Sequence, residues 1–193
     1  MSVHEFMTGG EINGILNGKA HIVPYSELSK FKTIEELLGS QGHAVILYEV
    51  KPGVGHWTCV FYGPPLDEYD LDYPRIYFFD SYGIKPDDEQ EWIDVEFRKK
   101  AWDDMRVLSK LLKNTPSEIN YNEFQLQEMK SGVNTCGKWC VARLGLKHLD
   151  DEEFAELFAK EDPTDTLSPD QLVAYFVDGL KDKGQSSRNP NPI

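Results

Sequence analysis

At 193 residues, with 40% hydrophobic and 27% charged side chains, the chain has the size and composition of one globular domain, which excludes wholesale disorder. Its 20 basic residues against 33 acidic ones leave a net charge of −13, which argues against a domain whose main task is to grip a nucleic-acid backbone. Three cysteines, Cys59, Cys136 and Cys140, are too few for a disulfide scaffold and fit a reducing compartment. No run reaches the ~18 apolar residues of a membrane span, and Met1 to Gly10 lacks the apolar stretch of a secretory signal.

The N-terminal part reads as short helices at Glu11 to Leu16 and Thr33 to Leu38. Thr33 is the expected N-cap of the second, Glu36 completes a capping box, and Gly39 ends it. His43 to Val50 is almost continuously apolar, as a central strand should be. Lys51-Pro52-Gly53-Val54-Gly55 is a turn, and His56 to Tyr62 forms a second strand in a hairpin with the first. Alternation puts His56, Thr58, Val60 and Tyr62 on one face and Trp57, Cys59 and Phe61 on the other.

Gly63 to Pro74 is an acidic, proline-containing loop, and Arg75 to Phe79 a third strand ending in Asp80-Ser81-Tyr82-Gly83. Pro86 opens a long helix from about Asp87 to Lys113, with Trp92, Val95, Phe97, Trp102, Met105, Leu108 and Leu112 as its apolar stripe. Asp87, Asp88 and Glu89 suit its positive end. Ile119 to Gln127 is a further strand candidate, followed by a polar loop to Thr135. Helices are expected at Cys136 to Leu149, Asp151 to Lys160 and Pro169 to Lys181, the last capped by Ser168. This order gives an α+β fold: a central mixed β-sheet flanked by helices, one domain over residues 1–183 and a disordered tail over 184–193.

Three residues stand out by position. His56 opens a strand after a Gly-rich turn, Asp80 ends the next apolar strand, and Cys136 stands at a loop-to-helix junction before Gly137. Neighbouring strands would bring His56 and Asp80 face to face. A thiol with a pKa of about 8.5 is mostly protonated at neutral pH. A helix N-terminus and an imidazolium both favour the thiolate, and a carboxylate behind the imidazole holds its tautomer. Cys136, His56 and Asp80 can supply those roles, with the Cys136 N–H and an amide from Gln127, Gln125 or Asn134 as oxyanion donors worth ~2.7–4 kcal/mol each.

The ordered set Gly55-His56-Trp57, Phe79-Asp80-Ser81-Tyr82-Gly83, Gln127 and Thr135-Cys136-Gly137-Lys138-Trp139-Cys140 resembles the adenain and SUMO-protease superfamily of cysteine peptidases. Within it, the chain most resembles the maturation proteases of viruses, virophages and Polinton-type elements. The resemblance implies the cysteine-peptidase fold of that superfamily, with His56 as general base, Asp80 as its orienting acid and Cys136 as nucleophile. Trp57 and Gly137 would shape a narrow cleft for Gly-Gly or Gly-X sites, and Gln127 would complete the oxyanion hole. Gln127 stands further from Cys136 than the family usually places it, Lys130 occupying the nearer position, so Gln125 and Asn134 stay open as alternatives.

The resemblance further implies a thiol protease that processes capsid or core precursors in the virion, host cytoplasm or virus factory, with no cofactor, metal or membrane. It allows an activating peptide as a partner, but the charge of −13 separates this chain from its basic, DNA-assisted relatives. Met7-Thr8-Gly9-Gly10 is similar to the family's cleavage preference, which leaves two readings open: a processing site after Gly10, or a plain glycine pair before a helix. Competing readings are a deconjugating protease for a ubiquitin-like modifier, an acetyl transferase using the same triad, a zinc site at Cys136 and Cys140 completed by Cys59 and a histidine, and a non-enzymatic interaction module.

Overall fold

A computed structural model describes residues 2–65, 74–88, 91, 106–159 and 166–186, the last with side chains to 181. Five strands form a mixed sheet in the order β1 (His21–Pro24), β2 (His43–Lys51), β3 (Val54–Tyr62), β4 (Ile76–Phe79) and β5 (Ile119–Tyr121). The inner three pair antiparallel and the two outer strands add parallel. The helices are α1 (Gly9–Ile15), α2 (Ile34–Leu38), α3 (Val107–Lys113), α4 (Cys136–Gly145), α5 (Asp151–Glu156) and α6 (Pro169–Ser186). The expected α+β class, a central mixed sheet flanked by helices, is therefore what forms. Among the described residues no helix is long and apolar enough to cross a membrane.

The period-2 pattern of β3 splits the interior into two cores. Trp57, Cys59 and Phe61 face one side with Val45, Leu47, Tyr77 and Phe79, covered by α1, α4 and α6. Val60 faces the other with Ala44, Ile46, Tyr48 and Phe78, covered by α2, α3 and the 3-10 turn Tyr25–Lys30. The β2–β3 hairpin closes at a register shift between Glu49 and Lys51. Gly55 lies so close to β2 that a Cβ there would sit 1.9 Å from the Tyr48 carbonyl oxygen, so only glycine fits.

Helix α4 is buried from Cys136 to Leu144. Burying Arg143 within it requires partners, and Asp151 supplies a carboxylate at 3.0 Å while the rings of Phe61, Phe154 and Tyr77 stack around the guanidinium at 4.6, 5.0 and 5.4 Å. Trp139 on the same helix packs edge-on against Phe154 and Phe158.

Several elements depart from expectation. There is no single helix from Asp87 to Lys113: Asp87 sits in a turn at φ 72°, and α3 starts only at Val107, after Arg106 at φ 72°. The Asp87 carboxylate is buried and accepts from the Ser109 N–H at 2.7 Å and the Tyr25 hydroxyl at 2.6 Å. An acid does serve a helix's positive end, but by reaching across from another turn. The stripe residues Trp92, Val95, Phe97, Trp102 and Met105 lie outside the described residues, as do 66–73 of the acidic loop and 187–193 of the tail.

Strand β5 stops at Tyr121, because the Asn122 side chain turns away to bind Asp80. Helix α4 ends at Gly145 rather than Leu149, and α6 continues past Lys181 to Ser186. Helix α1 starts at Gly9, where Thr8 and Glu11 form a capping box. Thr33 accepts from the Glu36 N–H as expected, but the Glu36 carboxylate reaches back to the Lys32 N–H. Strand β1 and the 3-10 turn were not legible, since four residues ending in Pro24 give too little alternation to read.

Candidate active site

His56 lies near the start of β3 and Asp80 just beyond the end of β4, and because the two strands run antiparallel these are the same end of the sheet. The last registered pair is Cys59 with Phe79. Continued by the antiparallel rule, that ladder sets Tyr82 opposite His56, and the two rings stack with centroids 4.7 Å apart and 18° between planes. His56 Nε2 lies 3.2 Å from Asp80 Oδ1, which leaves Nδ1 for the thiol of Cys136.

Asp80 is fully buried and is held on every side that orients it. Its Oδ1 also accepts from the Tyr82 N–H at 2.7 Å. Its own N–H donates to Asn122 Oδ1 at 3.0 Å, and its carbonyl accepts from Asn122 Nδ2 at 2.7 Å. Asp80 Oδ2 has no hydrogen-bond partner among the described residues. The carboxylate is thus aimed at the imidazole through a single oxygen.

Cys136 is the first residue of α4, behind Thr135. Burial opposes its charged form, but the hydrogen bond and charge of the His56 ring, joined by the N–H groups of Trp57 and Gly137, outweigh burial and hold the thiol below its ordinary value. One turn along the same helix, burial pushes the Cys140 thiol well above its ordinary value, with the Cys59 thiol beside it. Two thiols on one helix are driven in opposite directions, and the one lowered is the one facing the histidine. Cys59 and Cys140 are buried packing thiols, and among the described residues no group of three His, Cys, Asp or Glu side chains is arranged to hold a metal ion.

The three amides upstream are separated by burial. Gln125 is exposed and donates to the Gln127 carbonyl. Asn134 is taken up by the N-terminal segment, its N–H on the Val3 carbonyl and its Nδ2 on the His4 carbonyl. Gln127 is buried beside the Asp80 turn: its Oε1 accepts from the Ser81 hydroxyl at 2.8 Å, and its Nε2 donates to the Tyr82 hydroxyl at 3.1 Å and the Val133 carbonyl at 3.2 Å. Through Tyr82, stacked on His56, its carboxamide is joined to the triad.

Trp57 and Gly137 are turned inward. Trp57 is 6% exposed and its indole N–H donates to the Met7 carbonyl at 2.9 Å. A Cβ on Gly137 would meet Met7 Cβ at 2.9 Å, Trp57 Cδ1 at 3.2 Å and Ile12 Cδ1 at 3.3 Å, so this glycine lets the N-terminal segment pack tightly under the helix that Cys136 opens. Both residues support the site from beneath. Gly9 and Gly10 open α1 and Met7 is buried, so a cut after Gly10 would first require the first turn of that helix to unwind.

Three contributors escaped the sequence reading. The N-terminal segment binds the site through His4 on the Gly132 carbonyl at 2.6 Å, and its Glu5 carbonyl accepts from the buried Lys138 ammonium at 2.6 Å. Asn122 and Asp170 are the others. Asn122 follows β5 and had no periodic signal, and Asp170 reads as an ordinary first-turn acid of α6. Only the buried hydrogen bonds of their side chains mark them out.

No family model matches the chain. It is similar to a Sputnik virophage protein described as uncharacterized protein V9, at 38% identity over 167 residues that cover 86% of this chain and 91% of that protein.

Proposed function

The chain belongs to the same family as protein V9 of Sputnik virophage, and on that premise of a viral protein we propose that it is a cysteine endopeptidase that processes capsid or core precursors during virion assembly. One observation carries this reading: a thiol at a helix N-terminus, held below its ordinary value by a histidine that a buried carboxylate orients at 3.2 Å. Structural thiols have no use for such a setting, as Cys140 illustrates.

The chemistry runs through a thioester. The Cys136 thiolate attacks the scissile carbonyl while the His56 imidazolium, formed by taking the thiol proton, waits to give that proton to the leaving amine. Negative charge gathers on the former carbonyl oxygen, within reach of the N–H groups of the first turn of α4. Gln127 adds a donor by releasing one of its two Nε2 bonds, to Tyr82 or to Val133, as the oxyanion forms. Water, deprotonated by His56, then hydrolyses the acyl-enzyme.

The test is co-expression of wild-type and Cys136→Ala chains with candidate capsid proteins, followed by N-terminal sequencing of the products. Cleavage by the wild type alone, after Gly-Gly or Gly-X, supports the reading. The same fragments with Cys136→Ala would overturn it. Cleavage of ubiquitin-like conjugates in place of capsid precursors would change the substrate class and keep the chemistry.

A further inference from the structure

Asp170 is a carboxylate with a second duty. It is the second residue of α6 and 3% exposed, yet among the described residues its side chain bonds to the segment that carries Cys136. Oδ2 accepts from the Glu128 N–H at 2.9 Å, at the start of the loop before the nucleophile. Oδ1 accepts from the hydroxyl of Thr135, the residue just before Cys136, and from the Trp139 indole N–H at 3.0 Å. One carboxylate therefore ties together both ends of the 128–135 loop and the first turn of α4.

The bond to Thr135 matters because of what it prevents. A threonine in front of a helix normally turns its oxygen onto the N–H of the first turn and caps it, as Thr8 does for α1 and Thr33 for α2. Thr135 occupies the same place before α4 but makes no side-chain cap; its backbone lies at φ −101° and ψ −1°, and its hydroxyl is turned to Asp170. The first-turn N–H groups of α4 are left to the sulfur, and Gly137 N–H is among those that lower its pKa.

We propose that Asp170 is a positioning residue that draws the Thr135 hydroxyl off the N-terminus of α4 and so keeps those N–H groups for the Cys136 thiolate and for the oxyanion. The proposal rests on the cysteine-peptidase reading and adds to it a residue that acts through Thr135 and touches no substrate. Without Asp170, Thr135 can leave this backbone for the extended one in which Thr8 and Thr33 cap, and its hydroxyl then competes with the sulfur for the same donors.

The experiment measures the rate of Cys136 alkylation by iodoacetamide against pH, by mass spectrometry, on the full chain. Asp170→Ala is expected to slow alkylation near neutral pH about tenfold, to move the pH midpoint upward, and to lower kcat on a Gly-Gly peptide more than it raises KM. Adding Thr135→Val, which cannot cap, restores the wild-type pH profile in the double variant. Asp170→Asn keeps an acceptor for Thr135 and gives a smaller slowing, which Thr135→Val again reverses, so a poorly folding alanine variant does not end the test. An unchanged pH profile in Asp170→Ala and Asp170→Asn, or a double variant as slow as the single one, would overturn the proposal while leaving the protease reading intact. A wild-type Cys136 that alkylates like an ordinary thiol would sink the protease reading first, and this one with it.

Discussion

Replacing Asp80 by asparagine separates two outcomes that the same substitution can have in a triad. In the wild type Oδ1 accepts from the Tyr82 N–H at 2.7 Å and faces His56 Nε2 at 3.2 Å. The Tyr82 N–H cannot face another donor, so the asparagine must set its oxygen there, and that oxygen still accepts from His56. Its Nδ2 then takes the place of Oδ2, where no partner stands among the described residues, and nothing favours the reverse orientation. The tautomer is kept, and the loss is that of a charge-assisted bond (about 1.5–3 kcal/mol) becoming a neutral one (about 0.5–1.5 kcal/mol). The midpoints differ by about 1.25 kcal/mol, which corresponds to a factor approaching ten. Alkylation of Cys136 near neutral pH is therefore expected to fall about tenfold in Asp80→Asn, with its pH midpoint raised and Tm little changed. Where an amide inverts the histidine tautomer, the loss in such triads is roughly 10⁴-fold. A loss of that size here would refute the locking role of the Tyr82 N–H, and no loss would refute the role of Asp80.

Gln127→Ala leaves the Ser81 hydroxyl and the Val133 carbonyl without their partner, which should cost about 1–3 kcal/mol in urea unfolding; if the amide also serves the oxyanion, kcat falls by a further 10²–10³ while thiol alkylation is unaffected, roughly. Arg143→Met strands the buried Asp151 carboxylate and should cost about 3–5 kcal/mol, a penalty that Asp151→Asn in the same chain relieves; equal stability of the two would dismiss the pair's importance. Burial lowers the pKa of His43, whose Nε2 is unpartnered among the described residues. Between the folded and unfolded values the folded ring binds fewer protons, so its contribution is present above about pH 6.5 and is lost as the pH falls. The drop in Tm from pH 7 to pH 5 should shrink in His43→Gln; an identical drop would show that other groups govern acid sensitivity.

The triad was legible because its members sit where local sequence changes character: His56 after a glycine-rich turn, Asp80 at the end of an apolar run, Cys136 where a polar loop meets a helix. The face assignment along β3 was legible for the same local reason, since alternation needs only neighbours, and it correctly separated Trp57 and Cys59 from Val60. The helix expected from Asp87 does not run unbroken to Lys113, because a 3.6-residue stripe cannot report a left-handed residue and Arg106 stands at φ 72° before α3. Gly137 signals a close backbone approach in the sequence, and packing shows that Met7 and Ile12 of the N-terminal segment make one.

Sequence by itself determined the residue types and their order: one histidine, one carboxylate and one cysteine at element ends, in a chain of net charge −13 without a disulfide framework. It marked out Cys136 by its place at a loop-to-helix junction, but not the state of its thiol. Tertiary structure decided that, because the direction of a thiol's pKa depends on what surrounds it: His56 and two N–H groups for Cys136, apolar burial and another thiol for Cys140. It also recruited Asn122, Asp170 and the N-terminal segment, whose contacts span distances along the chain that no pattern of spacing encodes.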